Sequence, residues 1–232
     1  MKDIFGTAIL DYQLGNYSED LITSTSISEA DSLPLPYLFR NYSEMPCLEK
    51  TALKLSRGTV LDIGCGAGSH SLYLKSKGLK VKSIDISAGA IEACRLRGLR
   101  QAHVLNVMDE TSSFDTLLLL MNGSGVFQSL ANTPFVLSHL KKLINPDGQI
   151  LIDSSDIKYM YENEIGGYWM DATKDYYGEL DYTVRYKDQE ATFSWMYVDF
   201  ENLKIACEQA GLICELIEEG PHFDYLAQIT LA

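Results

Sequence analysis

The sequence predicts an α/β fold with a doubly wound parallel sheet, and one continuous region carries that prediction. Thr59 to Ile63 is a short apolar, β-branched run, which predicts a buried strand. The segment from Gly64 to Gly68 cannot continue that strand, and the helical pattern of Ser69 to Lys77 follows at once. Val81 to Ile84 is a second apolar run. Strand, turn, helix and strand in this order form the repeating unit of a parallel sheet.

The glycine-rich turn and the residue that ends the second strand together predict a cofactor site. Gly64, Gly66 and Gly68 alternate with other residues. The backbone there can take left-handed angles, and a ligand can approach where a Cβ would collide. The helix that follows presents free N–H groups at its start. Asp85 ends the second strand, where a carboxylate can accept hydrogen bonds from both hydroxyls of a ribose.

Later segments supply the remaining elements in the same alternating order. The run from Leu117 to Leu120 is apolar on both faces, as expected of a central parallel strand. The last two strands are predicted to pair antiparallel after a helix that Gly211 ends. The predicted segments are a helix at 88–96, strands at 102–105 and 114–120, a helix pair at 127–143, a turn at 145–148, a strand at 149–152, a helix at 200–210, and strands at 212–217 and 224–231.

The composition is that of one globular domain spanning residues 1–232. The chain has 46% hydrophobic and 22% charged residues, enough apolar surface for a full core. Its formal net charge of -13 argues against a surface built for a phosphate backbone. The lysines between Lys75 and Lys82 indicate a solvated surface rather than a nucleic-acid patch. We therefore expect no nucleic-acid partner.

The cysteines and the N-terminal segment indicate in which cellular compartment the protein resides. The 5 cysteines are scattered without a C-x-x-C pair, which indicates free thiols in a reducing cytoplasm. The N-terminus lacks the long apolar core of a signal peptide, because Asp11 interrupts its apolar patch. Leu117 to Met121 is too short to span a bilayer. We expect a cytoplasmic protein without a membrane partner, and the oligomeric state is not defined by one sequence.

The stretch from Val60 to Gly68, followed by Asp85, resembles the class I S-adenosylmethionine-dependent methyltransferases. The run from Met45-Pro46 through Asp62 to Asp156 is most similar to a set of bacterial members of unassigned substrate. The alternative is the nicotinamide dinucleotide fingerprint, but Ser69 stands where its G-x-G-x-x-G spacing needs Gly or Ala. The resemblance covers about Cys47 to Ala232. It implies a Rossmann-like doubly wound seven-stranded sheet of strand order 3-2-1-4-5-7-6 whose last strand is antiparallel, and S-adenosyl-L-methionine as the cofactor.

The resemblance also assigns residues to the cofactor site. Asn106 follows the third strand, where the family often has an Asp or Asn that accepts a hydrogen bond from the adenine amino group. A loop asparagine without that role is the alternative. The implied cofactor-binding set is Arg40, Asp62, Gly64, Cys65, Gly66, Gly68, His70, Asp85, Ile86, Asn106, Val107, Met121 and Asn122.

Residues 1–46 form a predicted N-terminal lid. Residues 1–36 show little periodicity, which predicts a mobile arm or short helices. Tyr37, Phe39, Arg40 and Tyr42 then bring aromatic rings and a cation together. By resemblance, such a segment closes the cofactor pocket, and Arg40 pairs with the cofactor carboxylate through its forked donors. A surface arginine beside core aromatics is the alternative.

No residue stands out as a catalytic base, and the candidates are Asn122, Asp153, His70 and Tyr161. Asn122 follows the fourth strand, which places it near the transferable methyl group. The alternative is a structural asparagine whose side chain hydrogen-bonds within the turn. Asp153 and Asp156 follow the fifth strand and resemble a catechol-type metal site. Only Asn122 stands at the fourth strand, so we predict a capping or substrate-orienting role for Asp153 and no metal. His70 has a structural hydrogen-bonding role as its alternative.

Residues 157–198 form an insert that departs from the bare fold. Segments 178–187 and 191–198 alternate in part and predict a β-hairpin. Its position after the fifth strand predicts a substrate cap, and a hairpin whose aromatic residues pack on one another is the alternative. The aromatic residues of the insert are Tyr159, Tyr161, Tyr168, Trp169, Tyr176, Tyr177, Tyr182, Tyr186, Trp195 and Tyr197.

The resemblance implies methyl transfer to a nucleophile by in-line displacement, in which positioning within a dry site supplies most of the catalysis. We expect a small-molecule acceptor, because the aromatic insert would enclose a compact substrate. Two alternatives stay open. A protein methyltransferase would have an open groove, and a catalytically silent cofactor-binding or interaction protein would bind the cofactor without turnover.

Overall fold

The computed structural model describes residues 2–162 and 174–232, which form two β-sheets with packed helices. No helix in those two ranges is long and apolar enough to cross a membrane. The helices are α1 (Ile4–Gln13), α2 (Leu35–Leu38), α3 (Cys47–Leu55), α4 (Ser69–Ser76), α5 (Ala88–Leu96), α6 (Thr133–Leu140) and α7 (Phe200–Gln209). The strands are β1 (Leu21–Thr25), β2 (Ser28–Leu33), β3 (Thr59–Ile63), β4 (Lys80–Asp85), β5 (Ala102–Val104), β6 (Phe114–Leu119), β7 (Ile144–Ser155), β8 (Glu179–Tyr186), β9 (Gln189–Met196), β10 (Leu212–Glu219) and β11 (Asp224–Leu231).

The main sheet has seven strands in the order β10-β11-β7-β6-β3-β4-β5. The strands from β3 to β7 run parallel, and β11 is antiparallel to both β7 and β10. Numbered within this sheet, the order is 3-2-1-4-5-7-6 with the last strand antiparallel, so the predicted fold class is confirmed. The winding reverses between β3 and β6, and ligands bind such sheets in the crevice beyond the carboxyl ends at that point.

The apolar runs in the sequence become the central strands of this sheet. Leu61 and Leu117 are buried on the face covered by α6 and α7. Val60 and Leu118 are buried on the opposite face, against α3 and α4. Both faces are covered by helices, which is why consecutive residues of β3 and β6, such as Val60 and Leu61, are apolar instead of alternating with polar ones.

The strand β7 is longer than the predicted segment at 149–152. Phe114 pairs with Ile144 and Thr116 pairs with Gln149, so residues 145–148 bulge out of the strand where the sequence predicts a turn. At the other end, β11 pairs with β7 as far as Ser155. This antiparallel partner extends the strand beyond its apolar core and fixes Asp153 within the sheet.

The second sheet joins the N-terminal segment to the insert in the order β2-β1-β8-β9, with antiparallel pairing throughout. The predicted hairpin of the insert is confirmed as β8 and β9. For residues 1–36, α1 agrees with the predicted short helices, whereas the β1–β2 hairpin was not predicted. A two-stranded hairpin by itself has marginal stability. The strand that pairs with β1 and stabilises it, β8, lies much later in the sequence. Tyr168 and Trp169 of the insert lie outside the described residues.

The aromatic residues of the insert pack together and against the main sheet. The Tyr182 ring centroid lies 5.5 Å from Phe193, 5.7 Å from Trp195 and 6.4 Å from Phe5 of α1. A Cβ on Gly125, after β6, would lie 2.3 Å from the Trp195 ring. This aromatic cluster therefore connects α1, the hairpin and the carboxyl edge of the main sheet.

Candidate active site

The turn after β3 is an open cradle of backbone atoms. Gly64 and Gly66 have φ angles of 69° and 52°, in the left-handed region that favours glycine. A Cβ built on either residue would meet no atom within 4 Å. The N–H groups of Gly64 and Cys65 donate to the Ile84 carbonyl at 2.9 and 3.1 Å. The turn is therefore tied to the end of β4 while one side of it faces open space.

Asp85 at the end of β4 fixes the shape of this cradle. One carboxylate oxygen accepts a hydrogen bond from Gly66 N–H at 2.9 Å, and the other accepts one from Ser87 N–H at 2.9 Å. Burial raises the pKa of Asp85 despite these two donors. Each carboxylate oxygen has two acceptor sites, so Asp85 keeps capacity for the hydroxyls of a ligand. Ile86 beside it is 75% exposed and offers an apolar surface next to that carboxylate.

Asp62, Cys65 and Gly68 pack the cradle onto its helices. Asp62 is 2% exposed and accepts a hydrogen bond from Ser71 Oγ of α4 at 2.6 Å. Cys65 Sγ lies 3.9 Å from Cys94 Sγ of α5. A Cβ on Gly68 would lie 2.8 Å from that Cys94 Sγ, so the third glycine permits close helix packing. The predicted contacts of these residues with the cofactor stay predictions.

Asn106 and Val107 lie at the same sheet edge as Asp85. The Leu105 N–H donates to the Asp85 carbonyl at 2.9 Å, which places the end of β5 beside that of β4. Asn106 is exposed, and its Oδ1 accepts a hydrogen bond from Met108 N–H at 3.0 Å. Val107 is buried. The adenine contact predicted for Asn106 would form at this edge and stays a prediction.

Arg40, Glu49 and His70 form a buried charged chain beside the cradle. An Arg40 guanidinium N–H donates to Glu49 Oε1, and Glu49 Oε2 lies 2.7 Å from His70 Nε2. The Arg40 guanidinium carbon lies 3.9 Å from the Tyr37 ring centroid. Burial by itself raises the pKa of Glu49, but His70 and Arg40 outweigh that effect and hold the pKa below its usual 4.5. Arg40 Nε has no hydrogen-bond partner among the described residues, which leaves one charged donor for a ligand.

Asp153 holds the turn after β6 in a strained shape. Its oxygens accept hydrogen bonds from Met121 N–H at 3.0 Å and from Gly123 N–H at 2.9 Å. Met121 and Asn122 have φ angles of 64° and 61°, a region that costs L-residues roughly 1–2 kcal/mol each. Burial raises the pKa of Asp153 to about 6. The carboxylate therefore stabilises a strained turn at the switch-point edge of the sheet.

The Asn122 amide is bonded to the core and to the insert. Its Oδ1 accepts hydrogen bonds from Ser124 Oγ at 3.0 Å and from Ser154 Oγ at 3.2 Å. Its Nδ2 donates to the Met196 carbonyl at 3.2 Å, and Ser154 Oγ accepts from Val198 N–H at 2.9 Å. These bonds join the end of β9 to the ends of β6 and β7. The contact predicted between Asn122 and a ligand stays a prediction.

A pocket of about 260 Å³ opens beyond the ends of β6, β7 and β11, beneath α2 and the start of α3. It is lined by Tyr37, Glu49, Met121, Asn122, Asp153 and Asp224, among others. Glu49 belongs both to this wall and to the chain that reaches His70, directly after the glycine cradle. The pocket and the cradle are therefore neighbouring parts of one cleft.

The structure brings three of the four candidate catalytic residues to this cleft. Asn122 and Asp153 line the pocket, and His70 contacts its wall through Glu49. Tyr161 instead packs with Ile157 and Leu180, and its hydroxyl donates to the Tyr177 carbonyl at 2.6 Å. Within residues 2–162 and 174–232, no group of three or more His, Cys, Asp or Glu is arranged to hold a metal ion.

Sequence reasoning did not find Glu49 or Asp224. An acid in the first turn of a helix usually complements the helix dipole, and Glu49 has that position in α3. One signal was present, because Glu49 shares a helix face with Leu53, four residues on, which is buried. Asp224 is the first residue of the last strand and carries no local signal. Only the pairing of β11 with β7 brings it to the pocket.

This strand order, with a glycine cradle after β3 and a carboxylate at the end of β4, defines the class I methyltransferase fold. A family model for the methyltransferase domain matches residues 37–215. The chain is 42% identical to a SAM-dependent methyltransferase from Bacteroides fragilis that was crystallised with S-adenosyl-L-homocysteine. That match covers 100% of this chain and 95% of the other, with a TM-score of 0.93. The chain therefore belongs to the S-adenosylmethionine-dependent methyltransferases.

Two further relatives are more distant. An uncharacterized methyltransferase of Staphylococcus carnosus (strain TM300) is 28% identical over 209 residues, which cover 83% of this chain and 86% of the relative. A malonyl-[acyl-carrier protein] O-methyltransferase of Serratia marcescens is 26% identical over 95 residues. That second match spans 41% of this chain and only 37% of the relative's length.

Proposed function

We propose that this chain transfers a methyl group from S-adenosyl-L-methionine to a small molecule bound in the pocket of about 260 Å³. The observation that carries the proposal is that the glycine cradle and the pocket lie next to each other. An open glycine cradle of the cofactor-binding type adjoins a half-open pocket, and the chain from Arg40 through Glu49 to His70 lies between them. Such an arrangement places a cofactor and a compact acceptor side by side.

The residues of the cradle fit the cofactor. The space beside Gly64 and Gly66, which a Cβ would fill, admits a ligand against the backbone. Asp85 retains acceptor sites for ribose hydroxyls. The unpaired Nε of Arg40 is a buried cationic donor that suits the cofactor's carboxylate. The complex of the Bacteroides fragilis relative with S-adenosyl-L-homocysteine also supports this assignment.

The protein's contribution to the reaction is mainly positioning. Bound S-adenosylmethionine supplies a sulfonium methyl group that is already activated toward nucleophiles. The turn held by Asp153 fixes Met121 in the pocket wall, and Tyr37 and Leu48 line the same pocket. Holding the acceptor atom in line with the methyl group within a dry site lowers the barrier. Asp153 is the group in the wall that can hold a proton when the acceptor must lose one.

A small-molecule acceptor suits this pocket better than a protein does. Tyr37, Pro46 and Leu48 line one side of a half-open pocket of about 260 Å³, a volume close to that of small-molecule sites. The malonyl-[acyl-carrier protein] O-methyltransferase of Serratia marcescens matches 41% of this chain, and we do not extend its substrate to this protein. A catalytically silent protein would share the cradle and is distinguished by methyl turnover.

Calorimetric titration with S-adenosyl-L-homocysteine tests the cofactor part of the proposal. We expect micromolar binding that weakens by ~1–3 kcal/mol in Asp85→Ala, because a buried hydrogen-bonding partner is lost. The matched control is Asp147→Ala, which removes an exposed carboxylate at the opposite end of β7. No binding by the folded wild-type chain would refute the proposal. Binding without methyl turnover of any small acceptor would instead favour the silent protein.

A further inference from the structure

The charges in the pocket wall bear on what the acceptor is. Three carboxylates line the pocket, from Glu49, Asp153 and Asp224, and no lysine or arginine does so among the described residues. Glu49 already has an arginine partner in Arg40. Asp153 and Asp224 are bonded to backbone N–H groups only, Asp153 to Met121 and Gly123 and Asp224 to His222. Neither carboxylate therefore has a lysine or arginine partner among the described residues.

Asp153 and Asp224 face the pocket from neighbouring strands. Leu226 of β11 is directly opposite Asp153 of β7, and Asp224 is opposite Ser155. Asp224 is two residues from Leu226, so both carboxylates project from the same face of the sheet. Diagonal pairs of this kind have Cβ atoms somewhat less than roughly 7–8 Å apart. An ammonium group has three N–H donors and can donate to more than one carboxylate.

We infer that the methyl acceptor is the nitrogen of a small basic amine, held in the pocket by Asp153 and Asp224. This inference rests on the proposed function and names the acceptor of that same site. The protonated amine supplies the cation that both carboxylates lack, so each gains a charged partner. A carboxylate acceptor would instead add a like charge to a wall that already carries two unmatched ones.

The reaction balances with groups that the protein and its cofactor provide. The ammonium gives one proton to the Asp153 carboxylate, which leaves a neutral amine with a free electron pair. That pair forms the new nitrogen–carbon bond as the sulfur–carbon bond breaks, and the electrons of the broken bond stay on sulfur as a neutral thioether. The product is a methylated ammonium ion. Asp153 then releases its proton to water.

Calorimetric titration of the protein saturated with S-adenosyl-L-homocysteine tests this inference. The probes are matched sets of one amine, one alcohol and one carboxylate on cyclohexyl, benzyl and indolylethyl skeletons. We expect the amine of at least one set to bind about tenfold or more tightly than its carboxylate, which is the effect of one charged hydrogen bond. Asp153→Asn and Asp224→Asn should each weaken that amine about tenfold, and Asp147→Asn should not.

The outcomes separate the two proposals. If the protein binds S-adenosyl-L-homocysteine but no amine binds more tightly than its matched carboxylate, the inference is overturned while the proposed function stands. An amine preference that survives both pocket substitutions would also overturn it. If S-adenosyl-L-homocysteine itself does not bind, the proposed function fails first. Circular dichroism of each variant shows that a loss of binding is not a loss of fold, and Asp224→Asn leaves the turn after β6 untouched.

Discussion

Gly89 of α5 and Gly6 of α1 bring two helices into backbone contact. A Cβ on Gly89 would lie 2.3 Å from the Gly6 carbonyl oxygen. Asp3 secures the contact, because its carboxylate accepts hydrogen bonds from Gly6 N–H at 3.0 Å and from Gly89 N–H at 3.0 Å. The N-terminal helix is thereby fixed to the helix that follows Asp85, next to the cofactor cradle.

Gly89→Ala is expected to separate α1 from α5. Overpacking of a close contact costs about 1–3 kcal/mol, which outweighs the gain of up to ~1 kcal/mol from the better helix propensity of Ala. Hydrogen exchange in α1 should become faster, while exchange in β3 and β6 should change little. Glu92→Ala, at an exposed position of α5, is the control. Unchanged exchange in α1 of the Gly89 variant would contradict the role given to this contact.

Glu49→Gln should destabilise the protein near neutral pH. The change leaves the buried charge of Arg40 without its carboxylate and weakens the bond to His70. Removal of one partner of a buried pair costs about 3–5 kcal/mol. Urea unfolding measures the loss, and Glu201→Gln, an exposed acid in the first turn of α7, is the control. Equal unfolding free energies for the two variants would argue against stabilisation by the Arg40–Glu49–His70 chain of charges.

The stabilisation by Glu49 should also depend on pH in a defined direction. The pKa of Glu49 in the folded protein is below its usual 4.5, so the folded state binds this proton less readily than the unfolded chain does. The stabilisation is therefore complete above pH 4.5 and is lost as the pH falls through the folded-state pKa. The difference in unfolding free energy between wild type and Glu49→Gln should shrink below pH 4.5. A constant difference from pH 7 to pH 3 would contradict this assignment.

Asp153 should show the opposite pH dependence. Burial raises its pKa from 3.8 to about 6, so the folded state binds this proton more readily. Its contribution to stability is complete below pH 3.8 and is lost as the pH rises through about 6. Relative to wild type, Asp153→Asn should therefore gain up to about 3 kcal/mol between pH 4 and pH 7. Denaturant unfolding at several pH values checks this, and a difference that is flat or falls with pH would contradict it.

Asn122 should anchor the insert to the main sheet. Asn122→Gly removes the amide that holds the Met196 carbonyl while it relieves the left-handed φ of 61°. We expect a loss of about 1–3 kcal/mol from the buried polar network and faster hydrogen exchange at Val198. Asn122→Ala should cost about 1 kcal/mol more, because Ala tolerates that φ poorly. Equal stability of the two variants would show that the backbone conformation does not contribute.

The sequence by itself determined the main sheet and the cofactor cradle. The strand from Thr59 to Ile63, the glycine turn after it and the acid at the end of the next strand are local in the chain. These signals are alternating glycines, apolar runs and a terminal carboxylate. They can be interpreted within about 25 residues of sequence, because the strand–turn–helix unit is itself local. That stretch carries the resemblance to the class I methyltransferases, and the resemblance in turn implied the strand order.

Only the tertiary structure decided how the remaining polar residues are grouped. The N-terminal hairpin is stable only when β1 pairs with β8, and no local pattern specifies that partner. Glu49 meets Arg40 and His70 because α3 packs over the ends of the central strands. Asp224 reaches the pocket because β11 pairs antiparallel with β7. A sequence specifies local propensity strongly, but the contacts between distant segments depend on packing that forms only when the whole chain has folded.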